Sequence, residues 1–389
     1  MVLPGNVDSS NNFFGEYQMV VTHPTTGVIL DIVEQGRIEH LKYSRKINEV
    51  GIMTLTIDSS DSLSEFIDQV DLIFDIYRRN EPNGSLEYED SYFLQMYNRS
   101  QVDDQGNEKI IFSCVSLEDL LKRRRILPDD DPLGAGGFST KSGDAAFIIS
   151  QFINEQLINP FTNEARKISQ VRLTDLPVIP FYNTQQRRNQ SDTLLKVCQD
   201  IVNQTDLPVL DFHLIHTGFA IIDVIIKARG ADKTATTNTP LSQEFLFIST
   251  RRGNLRNPEL VIDRRREINS VFVAGQGIGA SRVFVNSTST RVNDSPFNRK
   301  ESVIDQKVSN AVDELIDAGA VEIVNKRPIE ELNFEFYPGG AQTIYNVDWE
   351  LGDRITVGYE TYLEDHRITE VEITLRGSSE DIKFSTGVL

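Results

Sequence analysis

The stretch Asn269–Arg282, NSVFVAGQGIGASR, decides how the rest of the chain is read. Gly275, Gly277 and Ala280 fall at the G-x-G-x-x-A spacing that cradles a dinucleotide pyrophosphate, so the first question is whether a nucleotide site begins here. Such a cradle needs a strand before the glycines and a helix N-terminus after them, because aligned backbone N–H groups hold the anion. "SVFVAG" supplies the strand. The following "SRVFVNSTSTRVNDS" is β-branched and rich in Ser and Thr, with no apolar stripe at helical spacing. The loop is therefore expected to make a turn or bulge between strands, its glycines providing positive-φ positions, and no cofactor is expected.

Outward from the loop, the chain is strand-rich at both ends. "GEYQMVVTHPTTGVILDIVEQ" is two apolar runs about a Pro-Thr-Thr-Gly turn, a hairpin signal. In "GIMTLTID", Met53, Leu55 and Ile57 alternate with Ile52, Thr54 and Thr56, the period of a sheet with one dry face. "EPNG" and "DDQGN" mark further turns, and short strands between closely spaced turns favour a barrel or sandwich. In "SLEDLLKRRRIL", Ser116 and Asp119 stand at capping-box spacing before a Leu117–Leu120–Leu121 stripe. "PDDDPLGAGGF" marks a boundary. The middle region mixes elements. It has a helix from "SGDAAFIISQFINEQLIN" with Ser142 as N-cap, a helix carrying Leu194, Cys198 and Ile201 on one face, and a strand-turn-strand bent at Thr217-Gly218. "RGADKTATTNTPLSQ" is a polar loop. "SVIDQKVSNAVDELIDAG" is expected to be a helix stopped by Gly319, and the C-terminus returns to period-two alternation.

The expected class is α+β, predominantly β, with two small β-barrel domains and intervening α/β elements. The limits read as 1–128 for a first barrel with its closing helix, 129–235 for a mixed α/β domain, 236–300 with 336–389 for a second barrel, and 301–335 for a helical insert. Acidic residues number 58 against 39 Lys plus Arg among 389 residues, a net charge of −19. That balance argues against a duplex-DNA binder, whose affinity comes from clustered cations on phosphate. No run approaches the length of a membrane span, and the N-terminus shows no secretory signal, so folding in a cytoplasm is expected.

Candidate chemistry is sparse. His213 and His216 in "HLIH" suggest a metal site, but three residues apart on a strand they point to opposite faces. His23, His40 and His366 have no ligand-spaced companions. Cys114 and Cys198 each lie in an apolar stretch and read as buried thiols. No Ser sits in a G-x-S-x-G elbow. Acidic pairs such as Asp129 to Asp131 and Glu330 with Glu331 read as solvated faces, as an acidic chain produces them freely. The runs Lys122 to Arg125 and Asp263 to Glu267 read as helix-end or inter-subunit charge partners. Catalytic, metal and cofactor residues are therefore set as none. Two alternatives are a carboxylate-dependent peptidoglycan or polysaccharide hydrolase and a carbohydrate-binding β module; the lone Trp349, at a strand start, weakens the second.

Four stretches in order, "LKYSRKINEVGIMTLTI", "SCVSLEDLLKRRRIL", "VFVAGQGIGASR" and "WELGDRITVGYE…HRITEVEITL", resemble the tail hub (baseplate hub) proteins of bacteriophages, in their siphophage branch. The resemblance covers most of the chain. It implies two β-barrels with α/β elements between them and a trimeric ring at the distal tail. It implies as partners the tail tube or a distal tail protein on one side, and a tip, spike or fibre protein on the other. DNA would pass through without specific binding. Some hubs continue into a peptidase or fibre region, whereas this sequence stops after "GSSEDIKFSTGVL"; wall-degrading or receptor-binding activity is then expected in another protein. Part of the acidic excess is expected to line the channel, where it would repel phosphate.

Overall fold

The computed structural model describes residues 15–81, 84–101, 108–130, 137–174, 183–188, 190–203, 210–234, 247–249, 255–307, 309, 311–336, 344–359 and 362–388. The "DDQGN" turn, most of the 229–243 loop and the centre of the "PDDDPLGAGGF" segment lie outside them. Strands come first: β1 (Glu16–Thr22), β2 (Ile29–Glu34), β3 (His40–Lys46), β4 (Ile52–Asp58), β5 (Ile73–Arg79), β6 (Leu86–Gln101) and β7 (Glu108–Ser116). The mixed middle holds α1 (Asp119–Lys122), β8 (Ser139–Asp144), α2 (Ala145–Ile153), β9 (Val171–Leu173), β10 (Asn183–Arg188), α3 (Leu194–Val202), β11 (Leu210–His216) and β12 (Ile222–Ala228). After β13 (Asp232–Lys233), β14 (Phe247–Ser249) and β15 (Leu255–Asp263) come β16 (Ser270–Ala274), β17 (Phe284–Thr288), β18 (Glu301–Asp305) and α4 (Val312–Asn325). The chain ends with β19 (Ile329–Phe336), β20 (Arg354–Tyr359), β21 (Tyr362–Arg376) and β22 (Ser379–Val388).

Most strands belong to one sheet, in the order β15-β19-β22-β21-β3-β4-β7-β6-β5-β1-β2, with β13 and β14 attached through β20. The predominantly β class holds. Among the described residues the sheet does not close into a barrel, and it runs unbroken from the first third of the chain into the last. The join is the antiparallel pairing of β3 with β21, from Lys46 opposite Glu370 to His40 opposite Arg376. Ion pairs Lys46–Glu370 at 3.1 Å and Lys42–Glu372 at 2.9 Å cross it. Both ends also share one core, where Tyr17, Tyr43 and Phe112 pack with Trp349, Val371 and Phe384. Trp349 is 1% exposed, its ring 4.8 Å from Tyr345 and 4.9 Å from Phe384. It packs as a core residue and presents no sugar-stacking surface.

A second core joins α1, α2 and α3 to β11 and β12. Leu194, Cys198 and Ile201 are buried together there, as their helical spacing requires. A third, small core lies under α4, on the sheet β17-β16-β18, around Val271, Val273 and Leu315.

Three local expectations are corrected. Ser116 caps no helix: the ladder of β7 with β6 runs through it, its Oγ accepts from the Gly51 N–H at 2.9 Å, and α1 is a four-residue turn without a side-chain cap. Ser142 lies in β8 opposite Gln185, and the cap of α2 is Asp144, which accepts from the Ala146 N–H at 3.0 Å. The helix expected over 302–319 begins as strand β18, parallel to β16; α4 starts at Val312 and runs through Gly319 to Asn325. Gly319 serves close packing instead: a Cβ there would stand 2.4 Å from Ser287 Oγ and 3.1 Å from a Val273 methyl.

Candidate functional site

A dense polar assembly forms at the junction where β11 meets the large sheet. Among the described residues β11 ends its own small sheet and pairs with β12 alone, so its outer backbone edge needs other partners. Side chains supply them. Asn48, in left-handed backbone at φ 55° between β3 and β4, donates from Nδ2 to the Leu210 carbonyl and accepts at Oδ1 from the Phe212 N–H, both at 2.9 Å. Glu118 Oε1 accepts from the Leu214 N–H at 3.0 Å. A Cβ at Gly51 would come within 2.2 Å of the Ser44 carbonyl, so the β3–β4 turn that aims Asn48 is fixed by a glycine.

His213 and His216 lie in this junction. His213 Nδ1 is 2.7 Å from Glu118 Oε1 and its Nε2 3.9 Å from Asp90 Oδ1. His216 Nδ1 is 2.7 Å from Asp75 Oδ2, and the other Asp75 oxygen accepts from Ser91 Oγ at 2.5 Å. Each imidazole thus takes its own carboxylate on its own side of the strand, a clamp and not a shared ligand set. No metal-holding group of His, Cys, Asp and Glu occurs among the described residues. Burial pushes the Glu118 carboxyl up, but His213, Ser116 and the Leu214 amide outweigh it and hold it below its ordinary value. Burial dominates at Asp90 and, with the charge of Glu118, raises it despite His213 and Arg45.

A second buried ionic assembly ties the two ends together. Arg78 Nε donates to Tyr17 Oη at 3.0 Å and to Glu380 Oε1 at 2.9 Å, and Tyr17 Oη also bonds Glu380. The Arg78 guanidinium lies 5.9 Å from the Tyr17 ring centre and 5.4 Å from that of Tyr345. Arg45 Nη1 donates to Glu89 at 2.9 Å and to Tyr345 Oη at 2.6 Å. Removing one member of such a pair strands a buried charge and costs about 3–5 kcal/mol. The arrangement binds elements to one another.

The glycine loop behaves as its flanks imply. Gly277 has φ +115° and Gly279 φ +55°, and a short 3-10 turn at Gly279–Ser281 leads into β17, antiparallel to β16. A Cβ on Gly275 would lie 2.8 Å from both Leu315 and the Ser309 carbonyl, and one on Gly277 2.6 Å from the Ser281 carbonyl. The glycines admit backbone, and no helix N-terminus follows them.

The remaining candidates separate. Cys114 and Cys198 are buried free thiols, and burial raises both well above the ordinary thiol range. His23 Nδ1 accepts from the Thr25 N–H at 3.2 Å, closing a turn. His40 is lowered by burial and by Arg376 and Lys42. His366 is fully buried, and burial lowers it to about 4. Asp130, between Asp129 and Asp131, is buried and accepts from Thr162 Oγ1, the Asn163 N–H and Arg166. Asp131 and the side chains of Asp129, Glu330 and Glu331 lie outside the described residues. In the Lys122–Arg125 run, Arg123 pairs with Asp119 at 2.6 Å and Asp71 at 3.1 Å, while Arg125 Nη1 donates to the Ser191 carbonyl at 2.6 Å. That run stitches α1 to the start of α3 within the chain. In the Asp263–Glu267 run, Arg264 meets buried Glu267 at 2.9 Å, joined there by Lys300 at 3.2 Å. Sequence reasoning missed Glu118 and Asp75 at the junction and Arg78 and Glu380 in the second assembly; the first three interrupt or end apolar runs, whereas Glu380 follows Gly377-Ser378-Ser379 and carries no such signal.

Three solved structures share this fold over nearly their whole length. The tail protein from Neisseria meningitidis MC58 aligns with a TM-score of 0.55 at 12% identity, covering 95% of this chain and 96% of its own. The 43 kDa tail protein of prophage MuSo2 from Shewanella oneidensis gives 0.56 at 11% identity, covering 96% and 98%. The prophage tail protein gp18 from Listeria monocytogenes EGD-e gives 0.53 at 13% identity, covering 95% and 94%. No curated protein matches the sequence. Residues 31–387 match one protein family, and on that match the chain belongs to the Siphovirus ReqiPepy6 Gp37-like protein family.

Proposed function

We propose that this chain is a structural, non-catalytic hub of a phage tail. Copies form a trimeric ring at the distal end of the tail, join the six-fold tube to the three-fold tip or fibre apparatus, and line part of the DNA channel. The observation that carries this reading is the correspondence in fold with three tail proteins over 94–98% of their own chains. The continuous sheet and the two buried ionic assemblies support it. They stiffen the chain, as a part that transmits shape between neighbours requires. In this reading the two expected barrels are the runs of sheet on either side of the β3–β21 pairing, completed in the ring. The net charge of −19 suits a wall that DNA must slide past without sticking.

Negative-stain electron microscopy of the purified chain tests the ring. Three-fold particles with a central opening are expected, and single chains at every concentration would contradict it. Incubation with purified cell wall tests the absence of catalysis: no soluble fragments are expected above those released by the heat-denatured chain.

A further inference from the structure

The Lys122–Arg125 run is only partly used by the fold. Arg123 is held by Asp119 and Asp71, and its guanidinium lies 5.5 Å from the Phe93 ring centre. Arg125 donates to the Ser191 carbonyl and accepts, through its own carbonyl, from Arg166 at 2.6 Å. Lys122 and Arg124 form neither an ion pair nor a side-chain hydrogen bond among the described residues.

Arg124 is the unusual member. Its backbone is fixed, because its carbonyl accepts from the Leu194 N–H at 2.9 Å and the next residue bridges to Thr193. That anchorage against the start of α3 leaves the side chain half-buried. A charge taken partly out of water ordinarily has a partner, since desolvation penalises it. Here the surroundings add to the penalty. Burial holds the Arg124 guanidinium below its ordinary value, and the charges of Arg166 and Arg123 lower it further, with no carboxylate to offset them. The acids nearby are committed elsewhere, Asp119 and Asp71 to Arg123 and Asp130 to Arg166. Asp192, beside Thr193, pairs with no cation among the described residues. On a chain of net charge −19 this is a local positive site that the fold itself does not fill. Lys122 and Arg125, both exposed, open it to solvent.

The number of free cations selects the ligand. Nucleic acid is held by many cations along its backbone, whereas here Asp71, Asp119 and Asp192 stand among a few. One or two carboxylates need no more than a guanidinium fork and a neighbouring ammonium.

We propose that Arg124, with Lys122 and Arg125 beside it, is a docking site for an acidic segment of a partner protein. This contact stands whether or not copies of the chain form a ring. A dye-labelled hexaglutamate peptide is the probe, and fluorescence anisotropy at low ionic strength is the readout. The wild type should bind it, and full-length Arg124→Met should bind about tenfold more weakly, having lost one charge-assisted contact. Arg265→Met removes the same charge from the Asp263–Glu267 run, where Arg265 pairs with Asp263 and its side chain is 87% exposed, and should bind like the wild type. The free chain supplies a second readout. Arg124→Met keeps the apolar stem and relieves the repulsion from Arg123 and Arg166, so its thermal midpoint should equal or exceed that of the wild type. A lowered midpoint would show that Arg124 serves the fold, and would overturn the proposal. Lys122→Met, at an exposed position, should also weaken peptide binding. Binding unchanged in both variants, or a wild type that leaves the peptide unbound, would overturn the site. Tighter binding of a single-stranded DNA oligonucleotide of the same charge, weakened by Arg124→Met, would overturn the choice of an acidic protein segment as its occupant.

Discussion

Single residues at the junction carry more than their type suggests. Asn48 satisfies two backbone groups of β11 while sitting at φ 55°, a conformation that asparagine tolerates better than alanine. Asn48→Ala leaves a buried carbonyl and a buried N–H without partners, at about 1–3 kcal/mol each. A total loss of about 3 kcal/mol is expected in a denaturant titration, and a loss below about 0.5 kcal/mol would contradict the docking role. His366 gives a pH signature. Burial holds it neutral, lowering it from 6.5 to about 4, so between those values the unfolded chain binds the proton that the folded chain refuses. Stability contributed at neutral pH is therefore lost as pH falls from about 6.5 toward 4. The difference in stability between wild type and His366→Asn should shrink across that window, and a pH-independent difference would contradict it. Neither residue announces itself in sequence. Asn48 belongs to one of the stretches that carried the family resemblance, but its partner, β11, lies more than 150 positions away, and only the folded chain joins them.

At the scale of elements, local period and turn chemistry were the readable signals. The Pro-Thr-Thr-Gly hairpin, the alternation across β4 and the apolar stripe of α3 depend on near neighbours, and each forms as expected. The failures arise where a distant partner decides. ESVID becomes a strand because β16 offers a parallel edge, and Ser142 joins a ladder with β10 although its type suits a cap. Gly319 is the sharpest case, since glycine inside a helix ordinarily costs about 1 kcal/mol against alanine. Here the missing side chain lets α4 approach Ser287 and Val273. Gly319→Ala should therefore lower the thermal midpoint despite the gain in helix propensity, and a higher midpoint would show that the close approach is not what fixes the glycine.

For the whole molecule, composition spoke to surface charge and class, and the order of weak motifs to family. The sequence did not show that both ends share one sheet, because the β3–β21 pairing joins segments more than 300 positions apart. That pairing, with Arg78–Glu380 buried beside it, makes the ends one body, and the central claim is that this body exists to be shape-matched to its neighbours. The most direct test is mass measurement of the purified chain, alone and mixed with its tail-tube protein. A trimer that adds tube protein in a fixed ratio is predicted. A strict monomer that leaves tube protein unbound would contradict the account.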